Sequence, residues 1–378
     1  MRRYPAPTTN CPTLIEASAS SPHRLEISDV TFSQADTGYT LADWEHPDAA
    51  LKRSFDDFYR LIANALEASA ADAGSVEHVK LALGAPPGKR LPYLPLLSNL
   101  RVRNSGYELL FEHLRAKWAG PTGTRRRWFF GTLITDMGNT VEYVPVIEMG
   151  RLRRDFRKVI ARTGLNTIAF IEIQAGTNYP QNGHGRTLMC HAHFIGFTDD
   201  QDFDLRRANA VARTGSTLTN WLGAPTARIE EIAHFSALKR RCYYLFKAPF
   251  KGSYLVRNAA KSSGWETKHA DVDHWLAMRL AELLAQIDYR QATFTTGEGT
   301  KLKGDWLRAL AEWQRPRRNL EQENFAAAFQ EVWTTGRTTA HRAPVEIRWT
   351  TNAPPSTSWK DAMTPRIQAV SEHRARFD

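Results

Sequence analysis

Two histidines separated by a single residue carry the most specific chemistry in this chain. They lie in Cys190-His191-Ala192-His193-Phe194-Ile195-Gly196-Phe197, a run whose apolar and aromatic content reads as a strand. Alternate strand residues face the same side, so His191 and His193 aim both imidazoles at one spot while Cys190, Ala192 and Phe194 face the other way. Imidazole is the commonest protein metal ligand and suits Zn, Mn, Fe, Co or Ni, whereas Mg prefers oxygen. Upstream, Phe170-Ile171-Glu172-Ile173-Gln174 places one carboxylate among apolar residues, where it needs a cation to offset the cost of burial. Glu172 is therefore a candidate third ligand. Taken alone, the same residues also describe a chance His-x-His on a half-exposed strand and a carboxylate on a sheet edge or paired with an arginine.

A nucleophile candidate follows. In Arg240-Arg241-Cys242-Tyr243-Tyr244-Leu245-Phe246-Lys247 a tyrosine stands three residues before a lysine on an expected helix, so Tyr244 and Lys247 share a face. A phenol with a pKa near 10 is a weak nucleophile until a cation or base activates it, and Lys247 and a metal are the groups at hand. Tyr243 is the alternative nucleophile. Neighbouring helix residues project about 100° apart, so both tyrosines are not expected at one phosphate.

The elements that must position these groups read as an α+β fold, an antiparallel sheet with packed helices flanked by helical regions. Strands are expected over Trp128–Thr135, Thr167–Ile173, Thr187–Phe197 and Ala227–Ile232, with a Gly/Asn/Pro-rich loop over Gly176–Gly185. Helices are expected over Asp48–Ala71, Gly106–Trp118, Arg151–Arg162, Leu205–Leu222 with a break at Gly215, Ser236–Phe246, Asp271–Ile287, Asp305–Trp313 and Asn319–Trp333. These divide the chain into a polar, poorly structured leader over 1–45, a helical region over 46–120, an α+β domain over 121–260 that carries the motifs above, a helical and possible DNA-binding region over 261–342, and an irregular tail over 343–378.

The 378 residues carry 50 Lys and Arg against 40 Asp and Glu, a formal charge of +10 that favours polyanions, with nucleic acid first and an anionic membrane surface second. No run approaches the roughly 18 apolar residues of a membrane span, and the start Met1-Arg2-Arg3-Tyr4-Pro5 lacks the apolar stretch of a secretory signal. Cys11, Cys190 and Cys242 form no Cys-x-x-Cys pair, which fits a reducing cytoplasm rather than a disulfide framework.

In their order along the chain, these motifs resemble the HUH endonucleases of rolling-circle replication, the Rep proteins of plasmids and phages. The matching segments are Phe130-Gly131-Thr132-Leu133-Ile134-Thr135, then His191-Ala192-His193, then Tyr244-Leu245-Phe246-Lys247, with Glu172 at the place of the family's acidic ligand. The resemblance spans roughly residues 125 to 255. It departs from the family pattern in Ala192, where a bulky hydrophobic residue is usual, and in the adjacent Tyr243. Histidines before the tyrosine resemble Rep proteins and single-tyrosine transposases rather than conjugative relaxases.

The resemblance makes the α+β domain over 121–260 an HUH endonuclease domain, and implies an RRM-like core and a divalent metal, Mg or Mn, held by His191, His193 and Glu172. It implies attack by Tyr244 on single-stranded origin DNA, giving a 5′-phosphotyrosine link and a free 3′-OH, with Lys247 assisting by charge. No GxxxxGK[ST] loop is present, so unwinding would fall to a host helicase and extension to a host polymerase. Arg125, Arg126, Arg127, Arg154, Lys239, Arg240, Arg241 and Lys251 are candidates for phosphate contacts, and Trp128, Phe129 and Tyr254 for base stacking. Two rival classes share these features: a non-catalytic basic DNA-binding protein, and a metal hydrolase using bound water without a covalent step.

Overall fold

The computed structural model describes residues 60–349 apart from 70, 84–95, 121–125, 143–144, 180–184, 215, 221–223, 248–251, 261–264, 271, 315–321 and 336–344. The polar leader, most of the expected Asp48–Ala71 helix, Arg125, Lys251 and the tail beyond 349 lie outside the described residues.

The protein is α+β. After a helical segment over 60–69, its elements run α1 (Ala73–Ala82), α2 (Leu100–Ala116), β1 (Arg127–Ile134), β2 (Thr140–Val141), β3 (Val146–Ile147), α3 (Met149–Ala161), β4 (Asn166–Tyr179) and β5 (Gly185–Thr198). They continue through α4 (Leu205–Arg213), β6 (Ala227–Ile232), α5 (Phe235–Phe246), β7 (Gly252–Arg257), β8 (Trp265–Ala270), α6 (His274–Leu284) and α7 (Tyr289–Ala292), then β9 (Thr293–Thr296), α8 (Gly299–Gln314), α9 (Gln322–Thr335) and β10 (Glu346–Ile347).

The main sheet is ordered β6-β1-β5-β4-β7-β8, with β9 also on β4 and β2 on the start of β5. Its centre is antiparallel: β1 pairs with β5 from Arg127↔Thr198 to Ile134↔His191, and β4 pairs with β5 from Asn166↔Phe197 through Glu172↔His191. Among the described strands of this sheet, only β7 joins in parallel, on β4 at Gly176↔Ser253. Both long strands extend into the segment expected as a loop, because Gly176–Tyr179 and Gly185 still pair across the hairpin.

This register sorts the side chains. Trp128, Phe130, Thr132, His191, His193, Phe170 and Glu172 lie on one face, where α5 and α8 cover the sheet through contacts of Phe170 with Phe246 and Trp306 at ring-centroid distances of 5.1 and 5.3 Å. Phe129, Gly131, Ala192, Phe194 and Ala169 face the other layer, where α3 stacks Phe156 on Phe294. A side chain on Gly131 would place Cβ 2.1 Å from Phe194, so the sheet demands glycine here for close approach rather than for its backbone angle.

Residues 261–342, expected to be helical, also supply β8 and β9 to the main sheet. The start of the expected irregular tail contributes β10, which pairs in parallel with β3. One hydrophobic core includes Leu110 and Tyr107 before residue 120, Phe194 and Phe246 in the middle, and Leu280 and Trp306 after 260, so the boundaries drawn at 120 and 260 do not separate cores. No helix among the described residues is long and apolar enough to cross a membrane.

Candidate functional site

Strand β5 presents His191 and His193 on its helix-covered face, and β4 puts Glu172 directly opposite His191. A single Glu172 oxygen, Oε2, lies 3.4 Å from His191 Nε2 and 3.2 Å from His193 Nε2. One ligand atom from each of the three residues falls within 4.8 Å of the others. The two imidazoles stand edge to face with centroids 4.8 Å apart, the arrangement i, i+2 alternation supplies.

The donor set suits a divalent cation. His193 Nε2 is buried and has no aligned hydrogen-bond partner among the described residues, although a carboxylate oxygen is 3.2 Å away. A buried nitrogen in that position costs free energy unless something satisfies it, and a cation between the three groups would do so. Burial pushes the His193 pKa down to about 3, so this imidazole is neutral and its ligand lone pair is not lost to a proton near neutral pH. Burial pushes the Glu172 carboxyl up, but Lys247 and then His191 outweigh it and hold the group well below the usual range, as an anion.

Tyr244 and Lys247 complete the cluster. Lys247 Nζ donates to the Tyr244 hydroxyl at 2.6 Å and lies 3.2 Å from Glu172 Oε1, so one ammonium bridges the phenol to the carboxylate facing the histidines. The Tyr244 ring stands edge-on to His193 with centroids 4.8 Å apart, and edge-on to Phe130 at 5.6 Å. Burial raises the phenol's pKa against the opposing charge of Lys247, so Tyr244 is protonated at rest. Tyr243 points elsewhere: it is fully buried and packs edge-on against Tyr107 of α2.

One detail differs from expectation. Lys247 does not continue the helix; it caps α5 in an extended conformation with φ −51° and ψ 145°. The lysine reaches Tyr244 from just beyond the helix rather than along its face. Its backbone is held by Arg103 of α2, whose Nη1 donates to Lys247 O at 3.0 Å and Phe246 O at 3.4 Å while Nε donates to Leu97 O at 2.6 Å. Arg103 was not singled out in the sequence. Nothing local marks it, because its partners at the end of α5 lie more than 140 residues away.

In the sequence Thr132 is one residue of a strand motif with no mark of its own. It sits opposite His193 on β1, and its hydroxyl lies 2.9 Å from His193 Nδ1.

The expected nucleic-acid contacts need correction. Trp128 is 1% exposed and stacks on Trp118, and Phe129 is fully buried against Phe203, so neither offers a face to a base. Arg126 is buried and pairs with Asp199 at 2.8 Å, Arg127 pairs with Glu231 at 2.8 Å, and Arg154 with Asp155 at 3.1 Å. Arg241 is buried over the Phe130 ring and binds Glu230 at 3.0 Å. These guanidiniums are matched to carboxylates of this chain. Lys239 and Arg240 are half-buried on α5, and Tyr254 is half-buried on β7.

Comparison with protein-family models, with curated proteins and with solved structures finds no match to this chain.

Proposed function

We propose that this protein nicks and rejoins single-stranded DNA through a tyrosine nucleophile beside a divalent metal, as an initiator of rolling-circle replication. The reading rests on one observation above all: the Tyr244 hydroxyl and the Glu172 carboxylate share the Lys247 ammonium, while Glu172 faces His191 and His193. Motif order along the chain and a formal charge of +10 add to it. The antiparallel sheet with His191 and His193 on its middle strand is compatible with an HUH-type core, which belongs to this proposal.

His191, His193 and Glu172 would hold the cation, Mg or Mn, which when bound supplies Lewis-acid polarisation of the scissile phosphate. As the Tyr244 oxygen bonds to phosphorus its proton passes to solvent, while the bond from phosphorus to the 3′ oxygen breaks and that oxygen takes a proton from solvent and leaves as a 3′-OH. The product is a 5′-phosphotyrosine, and the reverse step rejoins the strand. Because Lys247 donates to the phenol oxygen, negative charge developing there meets an ammonium already in place. Glu172 Oε1 keeps that ammonium oriented.

Incubating the full chain with a pool of single-stranded oligonucleotides and Mn or Mg tests the proposal. The expected result is a protein–DNA adduct that survives denaturation, maps to Tyr244 by mass spectrometry and is absent from Tyr244→Phe. Cleavage without any adduct would favour a hydrolase. Binding without cleavage would favour a non-catalytic DNA-binding protein.

A further inference from the structure

We infer that Thr132 is a positioning residue of the metal centre, fixing which nitrogen of His193 is offered to the cation. The inference rests on the metal-site reading above and goes beyond it by assigning a role to a residue outside the ligand set.

An imidazole has two nitrogens, and a neutral ring carries its proton on one of them. His193 turns Nε2 toward Glu172 Oε2 and Nδ1 toward the Thr132 hydroxyl at 2.9 Å. If the hydroxyl accepts, Nδ1 carries the proton and the Nε2 lone pair points at the place where His191 and Glu172 converge. That is the ligating tautomer. Without a cation, a proton on Nε2 would face Glu172 Oε2 at 3.2 Å in poor alignment, and the hydroxyl could then donate to Nδ1 instead; a cation taking the Nε2 lone pair leaves the proton on Nδ1, where the Thr132 oxygen stands ready to accept it. The threonine therefore completes the pattern in which a ligating histidine donates its second nitrogen to an oxygen that fixes ring angle and tautomer.

The placement is built into the sheet. Thr132 and His193 are direct cross-strand partners, so their side chains leave the same face next to each other. The ring is held from a second side by Phe130, stacked on it with centroids 5.6 Å apart and an interplanar angle of 17°. Stacking fixes the plane of the imidazole but leaves a ring flip possible; a hydroxyl on one nitrogen distinguishes the two orientations. No comparable partner for the second nitrogen of His191 is found among the described residues, so His193 is the pre-set ligand and His191 the adaptable one.

Mn binding to wild type, Thr132→Val and Thr132→Ser, measured by titration calorimetry at one pH, tests this. Valine keeps the branched shape and removes the acceptor. Its expected effect is a weakening of Mn affinity by about 10- to 100-fold, with serine restoring wild-type affinity to within a few-fold and metal-free thermal unfolding little changed for both. If the wild type binds Mn and the valine variant binds equally well, the role of Thr132 is overturned while the metal site stands. If the wild type binds neither Mn nor Mg, the metal-site reading itself falls, and this inference with it. Should the valine variant fail to fold, nitrogen-resolved NMR of the Zn-loaded wild type decides: the inference requires Zn on Nε2 and the proton on Nδ1 of His193, and the reverse arrangement overturns it.

Discussion

Lys247 donates to the Tyr244 hydroxyl at 2.6 Å while its Nζ lies 3.2 Å from Glu172. Under the proposed mechanism this ammonium would meet a charge that forms only when the phenol oxygen attacks, so it would contribute more to the transition state than to the ground state. Replacing it by methionine keeps most of the volume and removes the charge. Lys247→Met is expected to slow single-turnover adduct formation by about 10²- to 10³-fold with oligonucleotide affinity nearly unchanged. Tyr243→Phe should leave the adduct intact, since that ring packs on Tyr107 instead. An equal loss in Tyr243→Phe and Tyr244→Phe would count against the assignment.

The three candidate ligands predict a ligand-dependent stability. A cation that binds only the folded chain stabilises it by about 2.7 kcal/mol at a hundredfold excess over its dissociation constant. Thermal unfolding of the wild type should therefore shift upward on titrating Mn, whereas Glu172→Gln should abolish most of the shift. The glutamine also leaves Lys247 without its carboxylate, so its metal-free stability should fall as well. A shift that persists undiminished in Glu172→Gln would place the cation elsewhere.

Much of this site was legible because strand alternation is a strict geometric rule. It put His191 and His193 on one face, and register then set Glu172 opposite His191. The nucleic-acid contacts were less legible, for a different physical reason. Arg126 and Arg127 look like free cations in sequence, yet Asp199 and Glu231, which match them, are 73 and 104 residues away. Trp128 illustrates the same limit: an aromatic on a strand can stack a base or fill a core, and only the packing of Trp118 over it distinguishes the two. Lys247 was placed within reach of Tyr244 by spacing, but the helix end that carries it is set by Arg103 from far upstream.

The Arg126–Asp199 pair gives a pH dependence. Hydrogen bonding from Arg126 lowers the Asp199 carboxyl below its usual range, and its Oδ1 and Oδ2 are met by Nε and Nη2 at 2.8 and 2.9 Å. A folded-state pKa below the unfolded one adds stability that is fully present above the usual aspartate range and disappears as pH falls through the folded value. Because Asp199 is 39% exposed at its side chain, solvent screening keeps the contribution to about 0.5–1 kcal/mol. Urea unfolding of Asp199→Asn should thus lie below wild type by that amount from neutral pH down to the usual aspartate range, and the two curves should converge in stronger acid. A gap that widens on acidification would contradict the assignment.

Gly131 and Phe194 are expected to behave as one unit. They are cross-strand partners on the face away from the site, and the Phe194 ring occupies the space a Gly131 side chain would need, with Cζ 2.1 Å and Cε1 2.2 Å from an added Cβ. Phe194 is fully buried, so it cannot swing into solvent to make room. Overpacking of this kind costs about 1–3 kcal/mol, and Gly131→Ala should destabilise the protein by that order. Thr132 follows Gly131 and His193 precedes Phe194 by one position, so any displacement of β1 against β5 is transmitted to the face that carries the candidate ligands. Mn affinity should accordingly fall in Gly131→Ala, although no ligand has changed. Shortening the ring by Phe194→Leu in the same chain should recover part of both losses, and a double-mutant cycle measures that coupling. Strictly additive effects would mean that the strands absorb the methyl group without moving the ring.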